Sequence, residues 1–382
     1  MKVVYYWSPC LTPVGTVKST LNSAISLSKY NNDFDVKILN VFGEWNEHKK
    51  FLEKNGIELI NLNSFSYKKF LPRYGFIGSR FSYIVIMLFS FFPLLKLLKK
   101  NKPDYLIIHL LTFIPLILFN LFKFQSKLIL RISGYPKLNF LRKFFWKKSS
   151  NFIYKITCPS KELLSDLKSL NVFYNNDLSL LYDAIISLEE YRQKKNDKKF
   201  VPEKQINENF FLTVGRLTKQ KNYFYLINEF AKFCKKNPKE KLVIIGDGEL
   251  KQNINTQIKR LNLSKNIELI SYSNNVYHYM RKSKCLILPS LWEEIGFVIV
   301  EAALSNTNVI SSDCKNGTKE FLLFGDGGFL FKNNKLDALF NSLSDFVITE
   351  KKILTKKKIL AKKNSKNFSM FYHQLALRKI LF

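Results

Sequence analysis

Two glutamates, Glu293 and Glu301, bracket an otherwise almost wholly apolar run, SLWEEIGFVIVEA. A desolvated carboxylate needs partners, so a buried strand or helix has no use for an acid at each end. Glu293 falls in the loop ahead of a helix that Gly296 and Phe297 begin, and Glu301 falls about one turn into that helix. A carboxylate at either place can accept hydrogen bonds from sugar hydroxyls. The helix N-terminus between them, with free N–H groups and the positive end of its dipole, suits a phosphate. Cations stand upstream. In TVGRLTKQKN, Gly215 and Arg216 follow a strand directly and Lys221 stands near the start of the next helix. Arginine brings a planar fork of donors and lysine a point charge, and both suit a diphosphate. In IIGDGE, Gly246 and Gly248 flank Asp247 in a turn that permits close backbone approach. Taken singly, these features read equally as capping acids, a tight turn and a solvated basic face.

The elements that must position these residues alternate. KVVYYW, DVKILNV, DYLIIH, KLILRIS and FIYKITCPS read as strands separated by helical stretches, with Ser160 as the N-cap of SKELLSDLKSL. A polar, charged segment at 187–209 reads as a linker. The alternation then restarts with NFFLTVG, KLVIIG, IELIS, CLILPS and NVISS as strands. Strands separated by helices imply parallel sheets covered on both faces. The expected organisation is therefore an α/β domain over 1–186, a linker over 187–209, a second α/β domain over 210–350 and a basic helical tail over 351–382. Ligands of such sheets sit beyond the carboxyl ends of the strands, where the small, polar and charged residues above fall.

As a set, these motifs resemble the retaining glycosyltransferases of the GT-B fold, specifically glycosyltransferase family 4 (group 1). Glu-x7-Glu after a PS strand end, with Gly296 at the fourth place, matches that family, as do VGRLTKQKN, IIGDGEL and SSDCKNGTKEFL with Gly317 and Glu320, in order and spacing. The resemblance implies two Rossmann-like domains facing across a cleft, with the C-terminal helix packing back on the N-terminal domain. It implies that Arg216 and Lys221 neutralise a donor diphosphate beside Gly215 and Gly246. Glu293, with the backbone at Gly296 and Phe297, would hold the donor sugar, and Glu301 the ribose. In the first half, PDYLIIH resembles the family's strand ending in a functional His, which places His109 among the catalytic residues. Gly15 matches the glycine-rich loop near the donor phosphate, and RISGYP is expected to meet the acceptor. The chain departs from the family at Glu294-Ile295-Gly296, where Gly-Phe-Gly is common, at Ser305-Asn306-Thr307-Asn308, where Cys-Gly-x-Pro is common, and within SYSNN.

The implied activity is transfer of a sugar, with retention, from a nucleotide diphosphate sugar to a glycan acceptor, in surface polysaccharide, lipopolysaccharide or glycolipid synthesis. The donor is a substrate, no cofactor is implied, and the two cations are expected to stand in for a divalent metal, since no Asp-x-Asp metal site is apparent among these motifs. A nucleotide-sugar epimerase or a phosphorylase on the same scaffold stays open. The formal net charge of +31, from 61 Lys and Arg against 30 Asp and Glu, calls for an anionic partner. A nucleic-acid binder fits the charge but has no use for Glu293 and Glu301, so no nucleic acid is expected. A lipid-linked acceptor and an anionic membrane surface fit better. NFLRKFFWKKSSNFIYK mixes aromatic and basic residues at helical spacing, as interfacial segments do. The uncharged stretch 81–95 reads as too short to span and carries Pro93, and 105–122 reads as strand, loop and buried helix. Five scattered cysteines, none in a C-x-x-C pair, argue against a disulfide framework or zinc site. The expected location is cytoplasmic, peripheral on the cytoplasmic face of the inner membrane.

Overall fold

The computed structural model of the chain describes residues 1–11, 15–72, 76–136, 138–174, 177–206 and 208–382. It divides into two compact units, Met1–Ile185 with Met370–Phe382, and Ile186–Ser369.

The first unit holds seven parallel strands: β1 (Lys2–Trp7), β2 (Phe34–Asn40), β3 (Glu58–Asn61), β4 (Tyr105–Ile108), β5 (Lys127–Arg131), β6 (Ile153–Cys158) and β7 (Leu178–Leu180). Their order is β3-β2-β1-β4-β5-β6-β7, so the direction of winding reverses between β1 and β4. Its helices are α1 (Gly15–Tyr30), α2 (Lys49–Lys54), α3 (Phe76–Asn101), α4 (Phe113–Leu121), α5 (Phe140–Ser149) and α6 (Lys161–Ser169). Ser160 caps α6, its hydroxyl accepting the Leu163 N–H at 3.2 Å. Successive β1 residues face opposite layers. Tyr5 and Trp7 join the core under α3 to α6, whereas Val4 and Tyr6 join the core under α1 and the C-terminal helix Met370–Leu381. That last helix packs on α1 as expected. Met370, Leu377 and Leu381 are buried among Leu21, Ala24 and Ile25, and Asn31 donates to Gln374 at 2.8 Å.

The second unit holds six parallel strands: β8 (Phe210–Val214), β9 (Leu242–Ile245), β10 (Ile267–Ile270), β11 (Ser283–Leu288), β12 (Asn308–Ser312) and β13 (Phe329–Phe331). The order β10-β9-β8-β11-β12-β13 reverses between β8 and β11. Its helices are α7 (Leu188–Lys195), α8 (Tyr223–Lys236), α9 (Lys251–Arg260), α10 (Val276–Lys282), α11 (Phe297–Leu304), α12 (Thr318–Phe321), α13 (Ala338–Ile348) and α14 (Lys351–Ser365). The stretch read as a linker thus opens with a capped helix and belongs to this unit, because Tyr191 packs edge-on to the buried Tyr277 at 5.0 Å. The basic tail is two helices rather than one: α14 stays with the second unit and the last helix joins the first.

Candidate functional site

In the second unit the sequence motifs gather at the carboxyl ends of β8, β9, β11 and β12, around the reversal between β8 and β11. This is the position at which open parallel sheets hold ligands. Two loops flank it. The first follows β8. Gly215 extends the ladder, its N–H donating to the Ile245 carbonyl at 3.0 Å, and Arg216 follows with an exposed side chain. A one-turn 3-10 helix, Lys219–Lys221, and a left-handed Asn222 then turn the chain into α8. The second loop joins β11 to α11. The two are stitched together, because Leu291 N–H donates to the Gln220 carbonyl and the Gln220 amide to the Trp292 carbonyl, both at 2.8 Å.

Between these loops the Lys221 ammonium meets the Glu293 carboxylate in an ion pair, and Ser290 Oγ donates to the same Oε1 at 2.7 Å. The side chains are only 15% and 9% exposed, so each charge depends on the other. Sequence reasoning names both residues but gives them separate ligands, and their pairing across 72 positions has no local signal. Ser290 and Gln220 are missed altogether.

Glycines set the shape of this pocket floor. A Cβ on Gly246 would run into the Gly215 carbonyl oxygen, and one on Gly248 would lie 2.6 Å from the Leu217 carbonyl oxygen. The close approach that IIGDGE permits is therefore first of all an approach to the chain's own β8 turn. Gly296 has φ +79, and a Cβ there would be 2.9 Å from Leu288 Cδ2. Gly296 opens α11, and Phe297 is its first residue. Gly317, at φ +123, leaves room for the Glu294 carbonyl, which accounts for the backbone of Glu294 and for the match around Gly317. Glu301 lies one turn into α11, half-buried, and together with Glu190 it adds to the upward push that burial gives the Tyr277 phenol.

In the first unit the corresponding reversal, between β1 and β4, holds His109. Its N–H donates to the Trp7 carbonyl at 2.8 Å, continuing the β1–β4 ladder by one residue. Its Nε2 lies 2.8 Å from Ser133 Oγ. Burial pushes the imidazole down to about 3, with Arg131 adding to the depression and Asp183 opposing it. A ring that stays neutral across physiological pH serves as a hydrogen-bonding group rather than as a base that charges and discharges. Gly15 is exposed at the start of α1. Residues 12–14 of the loop before it lie outside the described residues. Within RISGYP, Arg131 is not free to meet a ligand: it is buried, pairs with Asp183 at 2.5 Å and donates to the Leu181 carbonyl at 3.3 Å, whereas Ser133 meets His109 and Tyr135 is exposed. Burial alone would raise the Asp183 carboxyl, but Arg131 and the Ser19 hydroxyl hold it below the ordinary range.

Among the described residues no group of three or more His, Cys, Asp or Glu is arranged to hold a metal ion. A cavity of about 680 Å³ lined by Tyr225, Glu229, Lys232 and Leu263 shares no residue with the strand-end cluster, and Lys232 there is taken up by Glu229 and Asp337.

The description "Glycosyl transferases group 1" matches residues 194–368. Over 300 residues the chain is 30% identical to an uncharacterized glycosyltransferase of Methanocaldococcus jannaschii, covering 69% of this chain and 72% of that protein. It is 27% identical over 261 residues to the N-acetylgalactosamine-N,N'-diacetylbacillosaminyl-diphospho-undecaprenol 4-alpha-N-acetylgalactosaminyltransferase of Campylobacter jejuni, covering 66% of each. A glycosyltransferase structure from Rickettsia africae superposes with a TM-score of 0.77 at 17% identity, over 100% of this chain and 97% of that one. Anabaena HepE in complex with UDP superposes with a TM-score of 0.72 at 16% identity, over 100% and 99%. The fold is that of the GT-B glycosyltransferases.

Proposed function

Because the chain belongs to the family of group 1 glycosyl transferases, we propose that it moves a sugar from a nucleotide diphosphate sugar to a lipid-linked glycan, with retention of anomeric configuration. Glycosyl transfer itself follows from the family. The observation that carries the finer reading is the Lys221–Glu293 pair, set with Ser290 between two glycine-shaped loops at the β8–β11 reversal. A cation and a hydroxyl-accepting carboxylate side by side suit the junction of a diphosphate and a sugar.

In this reading Arg216, Lys221 and the N-terminus of α11 take the charge that develops on the departing diphosphate, an electrostatic role needing no divalent metal. Glu293, with the backbone at Gly296 and Phe297, holds hydroxyls of the transferred sugar, and Glu301 holds the ribose. Gly215 and Gly246 keep the floor under the phosphates free of side chains, and the family resemblance assigns Gly15 to the donor phosphate as well. Neutral His109 hydrogen-bonds near the reacting centre. The C1–O bond to phosphate breaks, the C1–O bond to the acceptor hydroxyl forms on the same face, and the departing phosphate takes the acceptor proton. A relative named for a diphospho-undecaprenol-linked glycan supports the lipid-linked acceptor and, with it, a peripheral place on the cytoplasmic face of the inner membrane.

A thermal-shift panel of UDP, GDP, ADP and dTDP sugars tests the donor. One base is expected to raise the transition temperature. No shift with any of them overturns the donor assignment, and donor turnover without an acceptor would favour the epimerase or phosphorylase reading.

A further inference from the structure

Helix α3 carries two apolar stripes. On one side Ile86, Leu94 and Leu98 are buried in the core of the first unit, with Ser82 and Ser90 buried in the same i, i+4 row. On the other, Phe81, Ile84, Leu88 and Phe92 recur at spacings of three and four and are 54–71% exposed. By length and composition Arg80–Asn101 is able to cross a bilayer, with 22 residues and a mean hydropathy of 2.0. The buried stripe argues against crossing, because a spanning α3 would strip Ile86, Leu94 and Leu98 from the core they help to form. The sequence reading of 81–95 as too short missed this face: the helix runs through Pro93 to Asn101.

The exposed stripe is not isolated. α4 packs beside α3 and α5 beside α4. The end of α4 exposes Leu121, and α5 exposes Phe140, Leu141 and Phe144. Scattered single apolar side chains are ordinary on a soluble surface, but three helices packed in succession that each expose large apolar side chains mark a contact. The charge around it has one sign. Between residues 59 and 161 the chain holds 18 Lys and Arg and a single acid, Asp104. An open groove of about 600 Å³ has Phe92 and Leu95 as its apolar lining and Lys96, Lys99 and Lys100 as its cations. Lys99 lies 4.8 Å from the centre of the Phe122 ring, which holds its ammonium at the α3–α4 seam.

We propose that α3, with the exposed ends of α4 and α5, is a docking face that beds into the interface of an anionic bilayer without crossing it. The apolar side chains reach the acyl boundary while the lysines stay level with headgroup phosphates. The inference gives the lipid-linked acceptor reading its surface, and rests on that reading for its biological setting.

The test is co-sedimentation of the full chain with vesicles of phosphatidylethanolamine and phosphatidylglycerol, beside vesicles of phosphatidylcholine alone. Wild type is expected to pellet with the anionic vesicles and to be released by alkaline carbonate. L88E/F92E is expected to lose pelleting, and K96E/K100E to bind roughly thirtyfold more weakly or worse. K351E/K352E, on α14, serves as a charge-matched control and keeps binding. Nucleoside diphosphate binding and the thermal transition, measured on each variant, verify the fold. A folded L88E/F92E protein that pellets like wild type overturns the docking face, which would then suit a protein partner. Resistance to carbonate overturns the in-plane placement. Vesicle binding without any nucleotide binding sinks the proposed donor but supports this surface, and nucleotide binding without vesicle binding does the reverse.

Discussion

Lys221 and Glu293, 72 residues apart, neutralise each other at the carboxyl ends of β8 and β11. A diphosphate that takes Lys221 must compete with a carboxylate already there. Glu293→Gln keeps the size of the side chain and an acceptor for Ser290 but removes that competitor. Free nucleoside diphosphate is therefore expected to bind the variant several-fold more tightly than wild type. Transfer to acceptor is expected to fall roughly 10- to 100-fold, the cost of a charged hydrogen bond to a sugar hydroxyl. Calorimetry with the nucleotide and a turnover assay separate the two effects. Weaker nucleotide binding in the variant would show that Lys221 is not the phosphate cation.

Arg216 stands exposed after β8, and Glu301 is half-buried one turn into α11. Arg216→Ala and Glu301→Ala are each expected to weaken nucleoside diphosphate binding roughly 10- to 100-fold, as befits hydrogen bonds to charged groups. Lys68→Ala should leave it unchanged, because Lys68 is paired with Glu47 at 2.8 Å in the first unit. Unchanged calorimetric affinity in both site variants would remove the site assignment.

Acid should loosen the first unit through two buried histidines. His373 Nδ1 faces the Tyr182 carbonyl at 2.6 Å, so it donates, and Nε2 accepts from Ser23 at 2.7 Å. Burial pushes His373 down to about 4 and His109 to about 3. Above the ordinary histidine value of about 6.5 both states are neutral and the contribution is complete. Below it the unfolded chain takes protons that the folded chain refuses, so stability falls with pH, by about 1 kcal/mol per histidine at pH 5.5. Glu44 acts oppositely, since burial raises its carboxyl to about 7. The comparison is therefore between wild type and H109Q/H373Q: the gap between their transition temperatures should narrow from pH 7.5 to 5.5. A gap independent of pH would show that neither ring is held neutral by the fold.

What the sequence made legible was the end of each apolar run. Gly215 and Arg216, Gly246, Glu293 and His109 all stand just past the end of a strand. There, local composition and sheet topology together fix the position. Contacts across the chain were not legible. Arg131 ends a strand as His109 does, yet it is absorbed by Asp183, 52 residues on, which no spacing rule connects to it. β3, β7 and β13 are short edge strands with partly exposed residues, so they lack the unbroken apolar run that marks β4 and β9. In α3 the apolar residues lie on two opposite stripes, so no amphipathic pattern separates its buried side from its exposed one.

Gly317 supports the β11–α11 loop without itself touching a proposed ligand. Its φ of +123 disfavours any L side chain, and a Cβ there would collide with the Glu294 carbonyl oxygen and meet Ile295 Cδ1 at 2.5 Å. The Glu294 carbonyl belongs to the loop that leads into Gly296 and the N-terminus of α11, where the donor phosphates are proposed to sit, so Gly317→Ala has to displace that loop or strain its own backbone. The expected result is a loss of roughly 1–3 kcal/mol in stability together with weaker nucleoside diphosphate binding, measured by thermal unfolding and calorimetry. Gly325→Ala is the control. Its φ is also positive, at +112, but nothing lies within 4 Å of the added Cβ, so it should lower stability and leave nucleotide affinity intact. If both variants kept wild-type affinity, the β11–α11 loop would be free to move without consequence for the donor.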